Sequence, residues 1–406
     1  MTRILSYFYS IVLALLPALS IYEFSVGLSL GTFLIIVSAA LPIFYNIKRS
    51  MAKEEWQLLL IILSLTFIST GYHVLLVSNW FSTTLVWHNL LVILLCFIPL
   101  IFMTNKVIIK PLITTALLIG IVASVVVAWQ RLNLIATGSY NAEVYLPFFT
   151  VSRDVDNIAL HRPAAFFTEP AHFCIFMLPI LYMALIMRKY ILALLFAFGI
   201  LCSGSTTGFL MVVVITTVFL YYSDLKRKKL FTTVVIAVSV AAYALLIALY
   251  PQIILENIEK LEASDENGSS VRLLGPLAYI QYMDQAECLF GLTLNQLVNL
   301  LKSTGRFGSD VSNYANGLIF MFISYGVVGF FALVRYLLHR WRASGEAKGF
   351  IVAFLGILCS DQILFNAHFL YLSSLVILAP QIYQYCQKEY AASKKKNMLG
   401  HYRLVR

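Results

Sequence analysis

Four residues suited to proton transfer and phosphate binding lie within twelve positions of one another. They are His161, Arg162, Glu169 and His172. Imidazole and carboxylate groups transfer protons, and a guanidinium can bind two phosphate oxygens at once. Because Pro170 is favoured at the first position of a helix, a helix is predicted to begin there. Glu169 then has three interpretations: a structural cap of that helix, a general base that takes a proton from a hydroxyl group, or a hydrogen-bonding contact to substrate.

Arginines on two separate long loops could form an anion clamp. Arg162 precedes Glu169, and Arg272 lies in a second loop that is also rich in polar residues. Two guanidinium groups that converge would suit a diphosphate. Each of the two could instead contact lipid headgroups or a loop carboxylate. Arg153 and Arg306 are interpreted mainly as structural, although Arg153 remains a candidate for substrate binding.

Two further polar features interrupt apolar sequence. The segment SGSTTG, residues 203 to 208, indicates a tight helical hairpin whose hydroxyls satisfy backbone groups, and its amides could alternatively line an anion site. Ser205 is the substrate-binding candidate there. Asp361 lies inside the eleventh predicted span, and His368, seven residues later, is predicted on nearly the same helix face at its outer end. We expect a buried hydrogen-bonded pair, with a proton relay as the alternative.

The elements that must position these residues are predicted to be membrane-spanning helices. Hydrophobic residues make up 60% of the chain and charged residues only 12%, which excludes an ordinary soluble protein. Apolar runs long enough to cross a bilayer recur from end to end without a period of two, so helices are favoured over a barrel. We predict one integral membrane domain, residues 1–406, with about 12 spans: 4–22, 26–45, 56–76, 85–103, 111–129, 171–187, 190–203, 207–222, 230–250, 314–335, 349–365 and 369–386.

The distribution of Lys and Arg predicts the orientation of these spans. With the N-terminus inside, 22 of the 29 Lys and Arg residues are cytoplasmic, as the positive-inside rule requires. Both termini are then cytoplasmic, and residues 387–406 form a basic tail. Two long outer loops remain, 130–170 and 251–313, and function is expected there. The basic clusters are attributed to topology and to membrane lipids, so no nucleic acid is implied.

Several kinds of chemistry lack support in the sequence. There is no Walker A loop, no GxGxxG and no zinc-ligand spacing, so neither a metal nor a cofactor is predicted. Asp154 and Asp156 form a pair of the type that holds a metal in nucleotide-sugar transferases, but they lie on the outer side, where nucleotide sugars are absent. Five of the six cysteines fall in or beside spans, so a disulfide framework is not expected.

Four segments, in order, resemble the polymerases of O-antigen and exopolysaccharide, the Wzy type. RPAAFFTEPAHF (162 to 173) is similar to that family's arginine, aromatic and Glu-Pro motif, and SGSTTGFL to its hydroxyl-rich hairpin. SSVRLLGPLAYIQYMDQAECLFGLTLNQL (269 to 297) resembles its arginine-bearing outer loop, and SNYANGLIFMFISYGVVGF (312 to 330) resembles the helix that follows. The related O-antigen ligases typically have His-Asn where this chain has Ser312 and Asn313, and Asn-Pro where it has Glu169 and Pro170. Both differences favour a polymerase.

The resemblance implies a GT-C-like glycosyltransferase at the outer face of the bacterial inner membrane. Its substrates would be oligosaccharide repeat units linked to undecaprenyl diphosphate, and a chain-length regulator would be an expected partner. Arg162 and Arg272 would neutralise the leaving diphosphate, and Glu169 would orient or deprotonate the acceptor. His161, His172, Arg153, Ser205, Asn313 and His368 are the candidates for substrate binding. An O-antigen ligase and a lipid-linked oligosaccharide flippase or transporter are the alternatives.

Overall fold

The chain is mostly helical. The computed structural model describes residues 2–25, 28–45, 53–76, 78–138, 144, 149–151, 162–222, 279–304 and 316–404. Within these residues the helices are α1 (Thr2–Leu19), α2 (Leu30–Tyr45), α3 (Lys53–Leu75), α4 (Thr83–Met103), α5 (Ile109–Thr137), α6 (Pro170–Ile186), α7 (Tyr190–Ser203), α8 (Thr206–Tyr222), α9 (Gln285–Phe290), α10 (Leu297–Thr304), α11 (Gly317–Ala343), α12 (Gly349–Ser360) and α13 (Ala367–Leu404). Single 3₁₀ turns lie at Thr104–Lys106 and Tyr279–Tyr282.

Eleven of the predicted spans coincide with helices α1 to α8 and α11 to α13. Four of the described helices are both long and apolar enough to cross a membrane: Lys53–Leu75, Thr83–Lys106, Ile109–Thr137 and Gly317–Ala343. Others, such as α6, α7 and α8, are apolar but shorter. These apolar helices are those of a helical membrane protein. The span predicted at 230–250 and the polar stretch at 253–278 lie outside the described residues.

Helix α6 occupies the centre of the bundle. Nearly all of its side chains are buried, from Phe173 through Ile186, and it packs against α5, α7, α8, α12 and α13. A helix that is apolar on every side must be enclosed by other helices. Large apolar side chains that remain exposed, among them Trp87, Ile191 and Phe331, lie on the outer helices, where lipid would cover them.

A small antiparallel sheet joins two loops at one end of the bundle. Strand β1 (Tyr22–Ser25) pairs with β2 (Leu28–Ser29) and also with β3 (Thr150–Val151), so the strand order is β2-β1-β3. Tyr22 lies opposite Val151 in this pairing. The sheet therefore places the first long loop beside the α1–α2 connection, which the predicted topology also assigns to the outer side.

The helices differ from the predicted spans at three points. Helix α5 continues to Thr137, eight residues past the predicted end of its span, and α13 continues past residue 386 to Leu404, so most of the basic tail is helical. Helix α12 ends at Ser360, and Asp361 is its extended C-cap residue. Because α13 begins only at Ala367, Asp361 and His368 do not share a helix face. Asp361 Oδ1 accepts from the Gln362 backbone N–H, and its carbonyl accepts from Gly317 N–H.

Helix α11 is broken at Gly326, whose backbone has φ 64° and ψ −167°. The carbonyls that the break exposes are used by the second long loop: Leu292 N–H donates to Ile323 O at 3.0 Å and Thr293 N–H to Ser324 O at 2.9 Å. A Cβ atom on Gly326 would lie 2.3 Å from Leu289 O. The loop backbone thus packs directly on the helix backbone, which only glycine allows.

Candidate functional site

Glu169 occupies the N-cap position of α6, and Pro170 is the first helical residue, as predicted. The backbone of Glu169 is extended, with φ −142° and ψ 158°, which is the conformation favoured before proline. However, its side chain makes no capping hydrogen bond. The structure therefore does not use Glu169 as a side-chain cap. The carboxylate belongs to the residue at the N-terminal, positive end of the α6 dipole.

His172 and His368 face each other at the start of two helices. Their ring centroids are 4.4 Å apart and the planes are inclined by 33°. His172 lies in the first turn of α6, three positions after Glu169. His368 lies in the first turn of α13 and is 4% exposed. Among the described residues, neither buried Nδ1 atom has a hydrogen-bond partner.

The start of α13 is fixed by its own cap. Asn366 Oδ1 accepts hydrogen bonds from the backbone N–H groups of His368, at 2.9 Å, and Phe369, at 3.1 Å. The preceding residue, Phe365, has a left-handed backbone with φ 61°, and Cys96 Sγ–H donates to its carbonyl. These contacts hold the segment between α12 and α13 in place. They thereby fix the position of the His368 ring.

Gln130 of α5 positions the segment that contains Arg162. Its side chain is fully buried, and Oε1 accepts from Ala164 N–H at 3.2 Å and from Ala165 N–H at 2.8 Å. Its Nε2 donates to Ala165 O. Ala165 has φ 53°, a strained value for a non-glycine residue, and Gln130 stabilises that turn. Arg162, half-buried, stands two residues before the residues that Gln130 binds.

The predicted hairpin at 203–208 is confirmed, and its hydroxyls satisfy the backbone. Ser203 Oγ accepts from Ser205 N–H, and Ser205 Oγ accepts from Gly208 N–H at 3.2 Å. Since these amides are already bonded, they are not available for an anion. Cys174 Sγ of α6 lies 3.6 Å from Ser203 Oγ and joins the hairpin to the helix that bears Glu169 and His172.

Arg131 closes the other side of this hairpin. It is 4% exposed, and its Nε donates to Cys202 O at 2.8 Å. Gly204 is left-handed with φ 71°, and a side chain there would approach Arg131 Nη2 to 2.8 Å. Neither Gln130 nor Arg131 was predicted as a site residue, because both fall within the predicted outer loop 130–170. Their sequence position could have indicated this, since both residues lie less than one helical turn past the predicted end of the span at residue 129.

The described part of the second long loop docks on α3 and α4. Asp284 and Glu287 form a reciprocal capping box around α9, a D-x-x-E pattern that the sequence displays. Tyr72 O–H donates to Asp284 Oδ2, and Ser69 O–H donates to Gly291 O, both at 2.7 Å. Asn89 Nδ2 donates to Leu294 O at 2.6 Å.

Glu287 is the buried acid of this docked segment. It is 6% exposed, and Oε1 lies 3.7 Å from His73 Nε2, so His73 has a partner that the sequence did not predict. Burial raises the pKa of Glu287 to about 6, and the charge of Asp284 contributes to the increase. A carboxyl group with this pKa changes its charge between pH 5 and pH 7.

The structure brings the rings of His172 and His368 together, and Glu169 is the N-cap residue of the helix that carries His172. Cys174 of the same helix contacts Ser203 in the hairpin that contains Ser205. Arg162 lies on the segment that leads into the same helix. Arg153, His161, Arg272 and Asn313 lie outside the described residues. Within the described ranges no three His, Cys, Asp or Glu side chains are grouped as metal ligands. No family model matches the chain, and no curated protein matches it.

Proposed function

We propose that the protein is a polysaccharide polymerase that transfers a growing glycan from undecaprenyl diphosphate to an incoming lipid-linked repeat unit. Two observations support the proposal: the Glu169 carboxylate makes no capping hydrogen bond at the start of α6, and the ring of His172 in the first turn of the same helix faces His368. A carboxylate that is not used in a cap can accept a proton. A neutral imidazole presents one donor and one acceptor, which suits sugar hydroxyls.

In this reaction the acceptor hydroxyl attacks the anomeric carbon of the glycan on the donor. Glu169 takes the hydroxyl proton as the new glycosidic bond forms, and the bond to the diphosphate oxygen breaks. Arg162 and Arg272 balance the negative charge that develops on the leaving diphosphate. The donor already has its leaving group, so no ATP is consumed. The enzyme acts at the outer face of the bacterial inner membrane, with both termini cytoplasmic, in a GT-C-like arrangement of 12 spans.

A flippase or transporter is the second candidate, because the break of α11 at Gly326 is a feature of many transporters. In transporters such a break frees backbone carbonyls for the cargo or a coupling ion. Here Ile323 O and Ser324 O accept from the docked loop instead. The break therefore supports loop docking better than transport, and the polymerase remains the favoured function.

Deletion of the gene, followed by gel analysis of lipid-linked and surface glycan, separates these functions. A polymerase predicts surface glycan capped with a single repeat unit, restored to a ladder by the wild-type gene but not by Glu169→Gln. Full-length polymer that stays on the lipid carrier would instead identify an O-antigen ligase. Repeat units trapped on the cytoplasmic face would identify a flippase.

A further inference from the structure

A cavity of about 250 Å³ lies at the end of the bundle opposite Glu169. Its walls include the aromatic residues Tyr182, Phe219, Tyr222 and Tyr383 and the charged residues Arg188 and Glu346. The volume is below the roughly 300–1,000 Å³ of sites for drug-sized ligands, so a small polar group fits better. The polymerase proposal assigns no role to this cavity.

One side of the cavity suits an ammonium group. Tyr383 O–H donates to the Glu346 carboxylate, and Tyr182 O–H donates to the Glu346 carbonyl at 3.0 Å. The side chain of Glu346 is exposed, and its other carboxylate oxygen can accept from a ligand. Outside the cavity, Lys348 Nζ donates to the hydroxyl oxygen of Tyr222 and lies 4.9 Å from the centre of that ring, so this aromatic side chain already contacts an ammonium group. Carboxylate and aromatic faces together favour a cation.

Another part of the wall suits a phosphate. Arg188 follows α6 and has a left-handed backbone with φ 56°, where glycine would be expected. Its N–H donates to Leu185 O and ends the helix. The guanidinium carbon lies 4.4 Å from the centre of the Tyr390 ring, and Nη1 donates to the hydroxyl oxygen of Tyr390. A guanidinium has five N–H donors, so others remain for an anion. The strained backbone of Arg188 thus coincides with a guanidinium that lines the cavity.

We propose that this cavity binds a phosphoethanolamine group, as carried by the phospholipid of the adjacent leaflet. The ammonium contacts Glu346 and the aromatic wall, and the phosphodiester contacts Arg188. This end of the bundle carries Arg340 and Arg342 as well, and the charge distribution predicts that it is cytoplasmic. A glycerol headgroup lacks the ammonium, and a choline headgroup lacks its N–H donors. Both are expected to bind more weakly.

Native mass spectrometry of the full-length protein with equal amounts of phosphatidylethanolamine, phosphatidylglycerol and phosphatidylcholine of matched acyl chains tests this. We expect phosphatidylethanolamine to be retained about tenfold over the others, the equivalent of roughly one charge-assisted contact. Glu346→Gln should reduce that preference to less than about twofold. Arg188→Gly should lower retention of phosphatidylethanolamine about tenfold while the melting temperature stays the same or rises, because glycine relieves the backbone strain.

The matched control is Arg335→Ala. Arg335 lies on the same helix as Arg340, and its exposed guanidinium donates to Gln57 Oε1. This variant should leave lipid selection unchanged. Equal retention of the three lipids, or wild-type selection in both cavity variants, would overturn the proposal.

A second measurement, with soluble glycerophosphoethanolamine, distinguishes a lipid from a free ester. If the soluble ester raises the melting temperature while the lipid does not, and Arg188→Gly abolishes this increase, the ligand is a free phosphoethanolamine ester. Because every readout is binding, failure here leaves the polymerase proposal intact.

Discussion

The imidazole rings of His172 and His368 lie 4.4 Å apart, at the N-terminal ends of helices that are separated by nearly two hundred residues. Both rings lie in the first turn of their helices, and Glu169 is the N-cap residue of the helix that carries His172. Among the described residues neither buried Nδ1 atom has a hydrogen-bond partner, so a substrate hydroxyl could bond to either.

Replacing His368 with Phe keeps a ring of similar size against His172 but removes both nitrogens. We expect polymer synthesis to fall roughly 10²-fold or more if the pair contacts the acceptor during proton transfer. Folding should be preserved, because the packing is retained. Phe369→Leu, at the next position of α13, is a matched control for packing. Activity of His368→Phe near that of the wild type would exclude the imidazole from the reaction.

Gln130→Ala should destabilise the protein, because the Ala164 and Ala165 N–H groups would be left buried without their acceptor. Each unsatisfied group costs roughly 1–3 kcal/mol, so a clear decrease in melting temperature is expected. Asn133→Ala, three residues further along α5, is the control and should have little effect. Limited proteolysis should detect faster cleavage near residues 162–167 in Gln130→Ala alone. Equal protection in the two variants would show that Gln130 does not hold this segment.

Gly326→Ala should displace the docked loop from α11. The new Cβ would lie 2.3 Å from Leu289 O, and φ 64° with ψ −167° is accessible essentially only to glycine. Gly71→Ala is the matched control, since a Cβ there meets nothing within 4 Å. In a helix interior that change should stabilise by about 0.5–1 kcal/mol. Hydrogen exchange of the Leu292 and Thr293 amides should accelerate in Gly326→Ala only, and unchanged protection would contradict the described docking.

The docked loop should loosen as the pH rises from 5 to 7. The pKa of Glu287 is raised to about 6 in the folded protein, above its ordinary value. The folded state therefore binds the proton more tightly than the unfolded state, so the stabilisation is fully present at low pH and is lost as the pH rises through 6. Exchange protection of the Thr293 amide, corrected for intrinsic rates, should fall over this range. Glu287→Gln should abolish the change, and a similar decrease in that variant would assign it to another group.

The apolar helices were predictable because apolar runs bounded by polar residues form helices in a membrane. The start of α6 was predictable from the Glu169-Pro170 pair, and the hairpin from the hydroxyls around Ser205. The arrangement of the site residues in space was not predictable. Its facing histidines depend on the end of α12 at Ser360, which no glycine or proline marks in the sequence. That break is stabilised by distant partners, such as Gly317 N–H on the Asp361 carbonyl.

The break of α11 at Gly326 also could not be predicted from the sequence. Gly326 lies in a continuous apolar run, where a glycine is usually compatible with a helix. The conformation becomes stable only because Leu292 and Thr293, more than thirty residues earlier, supply donors for the carbonyls that it exposes. Hydropathy reports how apolar a segment is, and it contains no information about such pairing.

The most direct test of the central claim is synthesis of polymer by the purified protein in vesicles with its lipid-linked repeat unit. Glu169→Gln is compared with Glu23→Gln, which neutralises an exposed carboxylate on β1 at the same end of the bundle. We expect Glu169→Gln to bind the lipid-linked unit but extend it at least about 10²-fold more slowly, and Glu23→Gln to match the wild type. Normal chain extension by Glu169→Gln would contradict a catalytic role for this carboxylate.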